Sequence, residues 1–279
     1  MSDTRALIYN PSCCRVLHAL TGSGIVTHTV DSPDWTQISS ADPDLRQPLA
    51  ASQMRLCFAD LDGYALESMD LDCLDEVEQK RAATISHSVQ RNRYLLSRCL
   101  LRQQLSALTG VAAKSLQLEI LSHGKPVLRD IGGPFFNLAH TGPFWLLGMA
   151  MGHALGVDLE RIRPLTDLQR LAKRVFSEEE QAELAEIKDV SDQQVAFFRG
   201  WTRKEAVLKA LGTGFTLPAR SLHIGLGTAS RAWCEVAEGE RLLVYSGVTD
   251  EGLLWAIASH NDAISLQTLR LVTHPASVE

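Results

Sequence analysis

Apolar and polar residues alternate in several short stretches of the chain, and apolar residues recur every three to four positions in longer ones. Alternation is typical of strands, and the longer period is typical of amphipathic helices. The first pattern predicts strands at 116–120 and 154–160, and other short, mainly apolar runs are interpreted as strands at 55–59, 135–140 and 144–151, and near Leu222, Trp233, Leu243 and Trp255. The second pattern predicts helices at 74–86, 91–108, 165–174, 178–187 and 191–211.

The order of these elements, strand then helices then strands, occurs twice along the chain. We therefore expect an α+β fold of two similar halves, residues 53–152 and 153–272, related by an approximate twofold axis. The functional site is expected in the cleft between them. Residues 1–52 show no sustained period and form an N-terminal extension without an assigned role, and residues 273–279 form a tail.

The composition indicates an ordinary globular protein. The chain has 279 residues, a mass of 30.7 kDa and 45% hydrophobic residues, enough for a substantial core. Its formal net charge of −6 argues against a general nucleic-acid binder, which is normally basic. Any anionic ligand must therefore be bound by a local group of cations.

The cysteines and the apolar stretches bear on the compartment. Six cysteines occur without a CxxC or another metal-binding spacing, so we expect reduced thiols and a cytoplasmic protein. The first residues lack the pattern of a signal peptide, and no stretch of 18 uninterrupted apolar residues occurs. We expect neither secretion nor membrane insertion.

Two carboxylates lie on one face of a predicted strand. Asp158 and Glu160 are two residues apart, so they point the same way while Val157 and Leu159 point into the core. Taken alone, this spacing is more typical of a solvated strand face.

A predicted helix supplies a third carboxylate. Trp201, Glu205 and Leu208 share one side of it, with Lys209 one turn beyond Glu205. A surface Glu–Lys pair explains this spacing equally well. However, magnesium binds a few carboxylates and completes its shell with water and phosphate oxygens, and lysine adds a point charge for phosphate.

Basic residues are concentrated in the first half. Six of them and no acid lie between Gln79 and Arg102. Arg91, Arg98 and Arg102 share a helical face, and we interpret them as solvated charges. Arg93 lies among apolar positions, where an arginine usually binds a fixed anion or carboxylate.

Three motifs together resemble the Sfp-type (surfactin-synthetase-activating) 4′-phosphopantetheinyl transferases. They are the GVD-x-E run at 156–160, the segment at 176–180, and the W-x-x-KEA-x-x-K run at 201–209. The resemblance extends over roughly residues 54–260. It implies that Asp158, Glu160 and Glu205 bind magnesium, or manganese in its place, and that Lys209 steadies the phosphates of coenzyme A.

The resemblance also implies the contacts to the nucleotide end of coenzyme A. Lys125 and Pro126 belong to a GKP turn that contacts the nucleotide. His140 and Thr141 belong to an N-x-SHS-like segment whose histidine contacts the 3′-phosphate. Arg81 and Arg93 fall where the family places basic contacts to the adenosine phosphates.

The chain departs from the family pattern at a few of these positions. Ala139 replaces one serine of the segment, so one hydroxyl contact is missing, whereas Thr141 keeps the other. Glu78 stands where some members carry a basic residue. These departures affect the coenzyme A contacts and leave the metal site intact.

Other motif residues have structural explanations. Ser177 and Glu180 have the spacing of a capping box, which accounts for both. Lys204 points away from Glu205 on the helix and is a secondary candidate. Trp201 is expected to pack and to fix the helix that carries Glu205.

The resemblance implies transfer of the 4′-phosphopantetheine arm of coenzyme A to a serine of an acyl or peptidyl carrier protein, with release of 3′,5′-ADP. Glu205, or a metal-bound water that it orients, would be the base. Two alternatives use the same residues: a metal-dependent phosphodiesterase or nucleotide hydrolase, and a non-catalytic module that binds coenzyme A or the carrier. A monomer is expected. The sequence leaves open which synthase carries the carrier, and which residues dock it.

Overall fold

The structure is a computed structural model that describes residues 35–121, 124–129, 133–212, 217–236, 240–261 and 265–273. Its strands are β1 Thr36–Ser39, β2 Gln53–Asp60, β3 Leu118–Ile120, β4 Pro126–Leu128, β5 Phe135–Thr141, β6 Phe144–Ala150, β7 Leu155–Arg161, β8 Arg231–Glu235, β9 Arg241–Val248, β10 Leu253–Ser259 and β11 Ser265–Val272. Its α-helices are α1 Glu76–Ala83, α2 Ser88–Thr109, α3 Leu168–Val175, α4 Glu178–Glu186 and α5 Val190–Leu211. Short 3-10 helices lie at Pro43–Arg46, Leu61–Gly63, Leu66–Ser68, Leu71–Cys73, Ala113–Ser115 and Ala219–Ser221.

The strands form two large sheets and one hairpin. The five-stranded sheet has the order β1-β11-β2-β6-β5, in which β11 is parallel to both β1 and β2. The four-stranded sheet has the order β7-β10-β9-β8 and is antiparallel throughout. Strands β3 and β4 form the hairpin. This mixture of sheets and helices confirms the α+β class.

The two large sheets pack face to face, with a long helix on the outer side of each. Phe58 and Leu146 of the first sheet share a buried cluster with Val157 and Trp255 of the second. Helix α2 covers the other face of the five-stranded sheet. Helix α5 covers the other face of the four-stranded sheet. The polar face of β7 therefore lies toward α5.

Several elements differ from the sequence prediction. The strand expected near Leu222 is a 3-10 helix followed by an isolated bridge between His223 and Glu235. The last strand, β11, was not predicted, and it joins the five-stranded sheet although its residues were assigned to the second half. Strand β1, from the N-terminal extension, pairs beside it.

The predicted solvated arginine face is wrong for Arg98 and Arg102. Their side chains are 12% and 0% exposed, and each donates to Glu78 at 2.6 Å. Arg102 also pairs with Asp75 at 2.6 Å. Asp75 and Glu78 form the capping box of α1, so these arginines fasten α1 to α2. The acid at position 78, a departure from the family pattern, is thus a buried ion-pair partner.

Gly156 sets the distance between β7 and α5. A Cβ atom there would lie 2.2 Å from the Ala206 carbonyl oxygen and 2.3 Å from the Ala210 amide nitrogen. These are backbone atoms that no side-chain rotation can move away. The glycine is therefore required for the close approach that places β7 and α5 side by side.

We expect Gly156→Ala to lower the free energy of unfolding by about 3 kcal/mol, the upper part of the range for overpacking, because the helix must shift as a unit. Gly63→Ala is the control, since a Cβ there meets nothing within 4 Å. It should change stability by less than about 0.5 kcal/mol. Urea unfolding of both variants measures this, and equal stability losses would contradict the role of Gly156.

Candidate active site

The acidic face of β7 and a polar stripe of α5 lie against each other. Lys209 Nζ donates to Asp158 Oδ1 at 2.6 Å and to the Val157 carbonyl at 3.0 Å. Two turns earlier on the helix, Trp201 Nε1 donates to Glu160 Oε1 at 3.0 Å. Hydrogen bonds between polar side chains therefore join β7 and α5 at two places along their length.

Glu205 lies between those two contacts along the helix. It is four residues from Trp201 and four from Lys209, so all three share one stripe. The Glu205 side chain is half-buried. Among the residues that the structure describes, no group of three or more His, Cys, Asp or Glu is arranged to hold a metal ion. The three predicted metal ligands thus lie along the contact between β7 and α5, which we call the seam, and they do not form a complete metal-binding group.

The two strand carboxylates interact electrostatically; Asp158 is buried and Glu160 is half-buried. Asp158 is 7% exposed, and its Oδ2 atom is buried without a hydrogen-bond partner in the described part of the chain. Burial, and after it the negative charge of Asp158, raise the pKa of Glu160 to about 7. Arg163, 3.4 Å from Glu160 Oε2, opposes this increase. Two neighbouring acids with one unused buried oxygen provide a favourable place for a cation.

These residues fit magnesium as one side of a coordination shell. Carboxylate oxygens are the hard donors that this ion prefers, and Asp158 Oδ2 is an uncommitted one. Magnesium usually keeps several waters and binds through few carboxylates together with substrate phosphates, rather than in an all-protein cage. A magnesium site shared by protein, water and substrate phosphate therefore requires only part of the coordination shell from the protein.

Lys125 has an unpredicted set of partners. Its Nζ atom donates to the Lys209 carbonyl at 2.8 Å and to the Leu155 carbonyl at 3.1 Å. The Lys209 carbonyl belongs to the last turn of α5, whose carbonyls lack partners within the helix. Burial lowers the pKa of Lys125. In this structure the lysine of the GKP turn therefore caps α5, and Pro126 begins β4.

The segment at the end of β5 faces two environments. Ala139 is 4% exposed and lies in the cluster between the sheets, where a serine hydroxyl would need a buried partner. His140 is exposed and Thr141 half-buried. Asn137 Oδ1 accepts a hydrogen bond of 2.8 Å from the Val157 amide, on the edge of β7 opposite β10. Asn137 thus joins the two sheets beside Asp158.

The predicted arginine contacts lie on the first half. Arg93 forms a bidentate ion pair with Asp62: Nε donates to Oδ1 at 2.8 Å and Nη2 donates to Oδ2 at 2.6 Å. This hydrogen bonding lowers the pKa of Asp62. The anion bound by Arg93 in this structure is therefore a carboxylate. Arg81 is exposed at the end of α1, with Thr84 within 3.5 Å.

The capping box predicted at the start of α4 is confirmed. The Ser177 and Glu180 side chains each bind the other's backbone amide. Glu180 also forms an ion pair with Lys204, and both side chains are 0% exposed. Lys204 Nζ further donates to the Leu222 carbonyl at 2.7 Å and to the Val175 carbonyl at 3.0 Å. The lysine next to Glu205 therefore fastens α5 to α3 and α4.

Sequence reasoning missed three contacts of the site. It expected packing from Trp201, but not the indole hydrogen bond to Glu160. The Asn137 contact joins residues 20 positions apart, and Lys125 reaches a carbonyl 84 positions away. The available signal for Asn137 was a polar residue inside a mainly apolar predicted strand, and no local pattern signals the Lys125 contact.

Comparison with known proteins gives a consistent result. Residues 154–258 match the 4′-phosphopantetheinyl transferase superfamily. The 4′-phosphopantetheinyl transferase HetI from Nostoc sp. is 33% identical over 214 residues, which cover 75% of this chain and 89% of that protein. The 4′-phosphopantetheinyl transferase Sfp from Bacillus subtilis is 28% identical over 149 residues, covering 53% and 65%. The Thermotoga maritima holo-[acyl-carrier-protein] synthase structure matches 38% of this chain and 61% of its own, at 16% identity and a TM-score of 0.26.

Proposed function

The chain belongs to the 4′-phosphopantetheinyl transferase superfamily, and on this premise we propose how its residues carry out the transfer. It transfers the 4′-phosphopantetheine arm of coenzyme A to a serine of an acyl or peptidyl carrier protein and releases 3′,5′-ADP. The family predicted from the sequence is confirmed. The hydrolase alternative finds no support among the relatives.

We propose that Asp158, Glu160 and Glu205 hold magnesium. The unpartnered Asp158 Oδ2 atom is the observation that carries this assignment. When bound, magnesium would neutralise negative charge on the diphosphate of coenzyme A. Trp201 orients the Glu160 carboxylate, and Lys209, held by Asp158, presents its ammonium to the same phosphates.

Glu205 is the proposed base. The serine oxygen of the carrier attacks the β-phosphorus, and its proton passes to Glu205. The bond between the β-phosphorus and the bridging oxygen breaks, and that oxygen leaves with 3′,5′-ADP. The position of Glu205 between Trp201 and Lys209, beside both strand acids, supports this role.

The nucleotide end of coenzyme A is proposed to lie along the junction of the two halves, which we treat as related by an approximate twofold axis. His140 and Thr141 end β5, the strand joined through Asn137 to β7. Arg81 and Arg93 would reach the adenosine phosphates from the first half. On binding of the nucleotide, Lys125 would release the Leu155 and Lys209 carbonyls, and Arg93 would release Asp62. We propose that the enzyme acts as a cytoplasmic monomer.

The carrier is proposed to dock on a basic surface that begins next to Glu160. Five basic residues and one acid occur between positions 161 and 174, in a chain of net charge −6. The exposed residues Lys173 and Arg174 on α3 take part in none of the ion pairs found among the described residues. Carrier proteins of this class are acidic, so this surface has the complementary charge.

Reversing this charge should impair carrier binding. We expect the double variant Lys173→Glu/Arg174→Glu to raise the KM for an acidic carrier about tenfold, with the KM for coenzyme A unchanged. Charges at the rim of an interface mainly change the rate at which the two proteins associate. Steady-state kinetics with each substrate varied measures this. Lys114→Glu, an exposed change beside α2, is the control. An equal rise in both variants would exclude α3 as the docking surface.

One assay separates the proposed function from its alternatives. The protein is incubated with coenzyme A, magnesium and an apo carrier, and the carrier is followed by intact mass. We expect the carrier mass to rise by one phosphopantetheine arm in step with release of 3′,5′-ADP. Hydrolysis of coenzyme A without a mass change would identify a hydrolase, and binding without either product a non-catalytic module.

A further inference from the structure

The backbone of β7 next to Asp158 is held by side chains from other elements. Strand β7 stands at the end of its sheet and pairs with β10 on one side. On its other edge, Asn137 Oδ1 accepts from the Val157 amide at 2.8 Å, and Lys209 Nζ donates to the Val157 carbonyl at 3.0 Å. Both backbone groups of the residue before Asp158 are therefore bonded to side chains.

Asp158 itself is held from the opposite side of the strand, where it lies beside Ala256 of β10. In an antiparallel pair, the backbone groups of successive residues point alternately toward the partner strand and away from it. The Val157 groups point away from β10, so those of Asp158 point toward it. The strand is thus fixed on both edges at the point where the Asp158 side chain leaves it toward Lys209 of α5.

Asn137 is chemically suited to this contact. It is 5% exposed in β5, and Ala139, on the same face of that strand, lies in the apolar cluster between the sheets. A buried amide in such surroundings is costly unless it is hydrogen-bonded. Its side-chain oxygen is an acceptor, which matches the Val157 N–H. The carboxamide is also neutral, so it fixes the strand without adding a charge beside Asp158.

Asn137 differs from the two lysines that bind backbone carbonyls of β7. Lys209 is proposed to contact the phosphates of coenzyme A. Lys125, which donates to the Leu155 carbonyl at 3.1 Å, is proposed to contact its nucleotide. The contacts of both lysines with β7 would therefore change when coenzyme A binds. The Asn137 side chain is buried and is assigned no contact with coenzyme A, so it can hold Val157 throughout the reaction.

We propose that Asn137 is a positioning residue for the transfer reaction. By holding the Val157 amide, it fixes the direction in which the Asp158 side chain leaves the strand. It thereby keeps Asp158 Oδ2, which has no hydrogen-bond partner in the described part of the chain, where a magnesium ion can bind. This inference rests on the proposed function, since it concerns the cation that Asp158 is proposed to hold.

The test is the binding of manganese in the presence of coenzyme A and without a carrier, so that no transfer takes place. The paramagnetic resonance signal of free Mn²⁺ measures binding, and urea unfolding of the same preparations measures stability. We expect Asn137→Ala to raise the dissociation constant for manganese about 10–100-fold, as loss of a residue that orients a metal ligand typically does. With magnesium and an apo carrier, kcat should fall while the KM for the carrier stays the same.

Leu138→Ala is the matched control. Leu138 is the next residue of β5, and it packs on the other face of the sheet, against the cluster beneath α2. This variant should lower stability and bind manganese as the wild type does. An equal loss of manganese affinity in both variants would overturn the proposal, because the loss would then follow from stability alone. If Asn137→Ala does not fold, Asn137→Ser replaces it, since the serine side chain is one bond too short to reach the Val157 amide.

Asp158→Asn separates this inference from the proposed function. If Asp158→Asn loses manganese binding and Asn137→Ala keeps it, the positioning role is wrong and the metal site stands. If Asp158→Asn binds manganese as tightly as the wild type, the metal site is wrong and the positioning role falls with it. Weaker binding in both variants, with wild-type binding in Leu138→Ala, supports both.

Discussion

Replacing Glu205 with glutamine should reduce phosphopantetheine transfer by about 10² to 10⁴-fold while the fold is retained. Removing a general base alone costs this much, and loss of a metal-binding carboxylate adds to it. The change keeps the size of the side chain, and Glu205 is half-buried at the seam rather than in the core. Its loss should therefore affect chemistry far more than stability.

The measurement is single-turnover transfer to an apo carrier, followed by intact mass, together with urea unfolding of the same variant. Glu186→Gln, an exposed change at the end of α4, is the control and should transfer at the wild-type rate. Transfer by Glu205→Gln within about threefold of wild type would remove Glu205 from the mechanism. A large loss of stability would show that its role is structural.

The strand and helix that form the site were predictable because their signals are local. Alternation over 154–160 predicts β7, and the observed strand is Leu155–Arg161. The period over 191–211 predicts α5, which is Val190–Leu211 and ends at Gly212 in the left-handed conformation. Helix and strand periods then fix which side chains share a face, and so place Asp158, Glu160 and Glu205 along one seam.

Contacts between distant parts of the chain were beyond such reasoning. Arg98 and Arg102 carry the pattern of a solvated face, yet Glu78, 20 and 24 positions away, makes their burial favourable. Strand β11 was missed because its place depends on β1 and β2, which lie more than 200 positions earlier. In each case the deciding partner lies outside any local window.

The motif residues also divide by role in a way that the sequence could not show. In the run at 201–209, Glu205 and Lys209 face the acids of β7, whereas Arg203 and Lys204 are buried and bind structural partners. Lys125 caps the helix that carries Glu205. The same short motif thus contains both the proposed reacting groups and the contacts that hold their helix in position.

Breaking the buried ion pair beneath the site should have the largest effect on stability. We expect Lys204→Met to lower the free energy of unfolding by about 3–5 kcal/mol, because it leaves Glu180 buried and unpaired. The Tm should fall by roughly 10 °C. Lys80→Met is the control, since it breaks an exposed pair with Glu76 and should cost at most about 1 kcal/mol.

A double variant separates loss of the charge pair from loss of packing. Lys204→Met/Glu180→Gln removes the unpaired charge, and the amide oxygen keeps the hydrogen bond from one of the two backbone amides, those of Ile224 and Ser177, that bind separate oxygens of Glu180. It should recover a substantial part of the stability lost in Lys204→Met, as measured by thermal and urea unfolding. If Lys204→Met costs no more than Lys80→Met, the pair does not hold α5. If the double variant is less stable than Lys204→Met, the cost arises from the backbone contacts that the two side chains lose and not from the uncompensated charge.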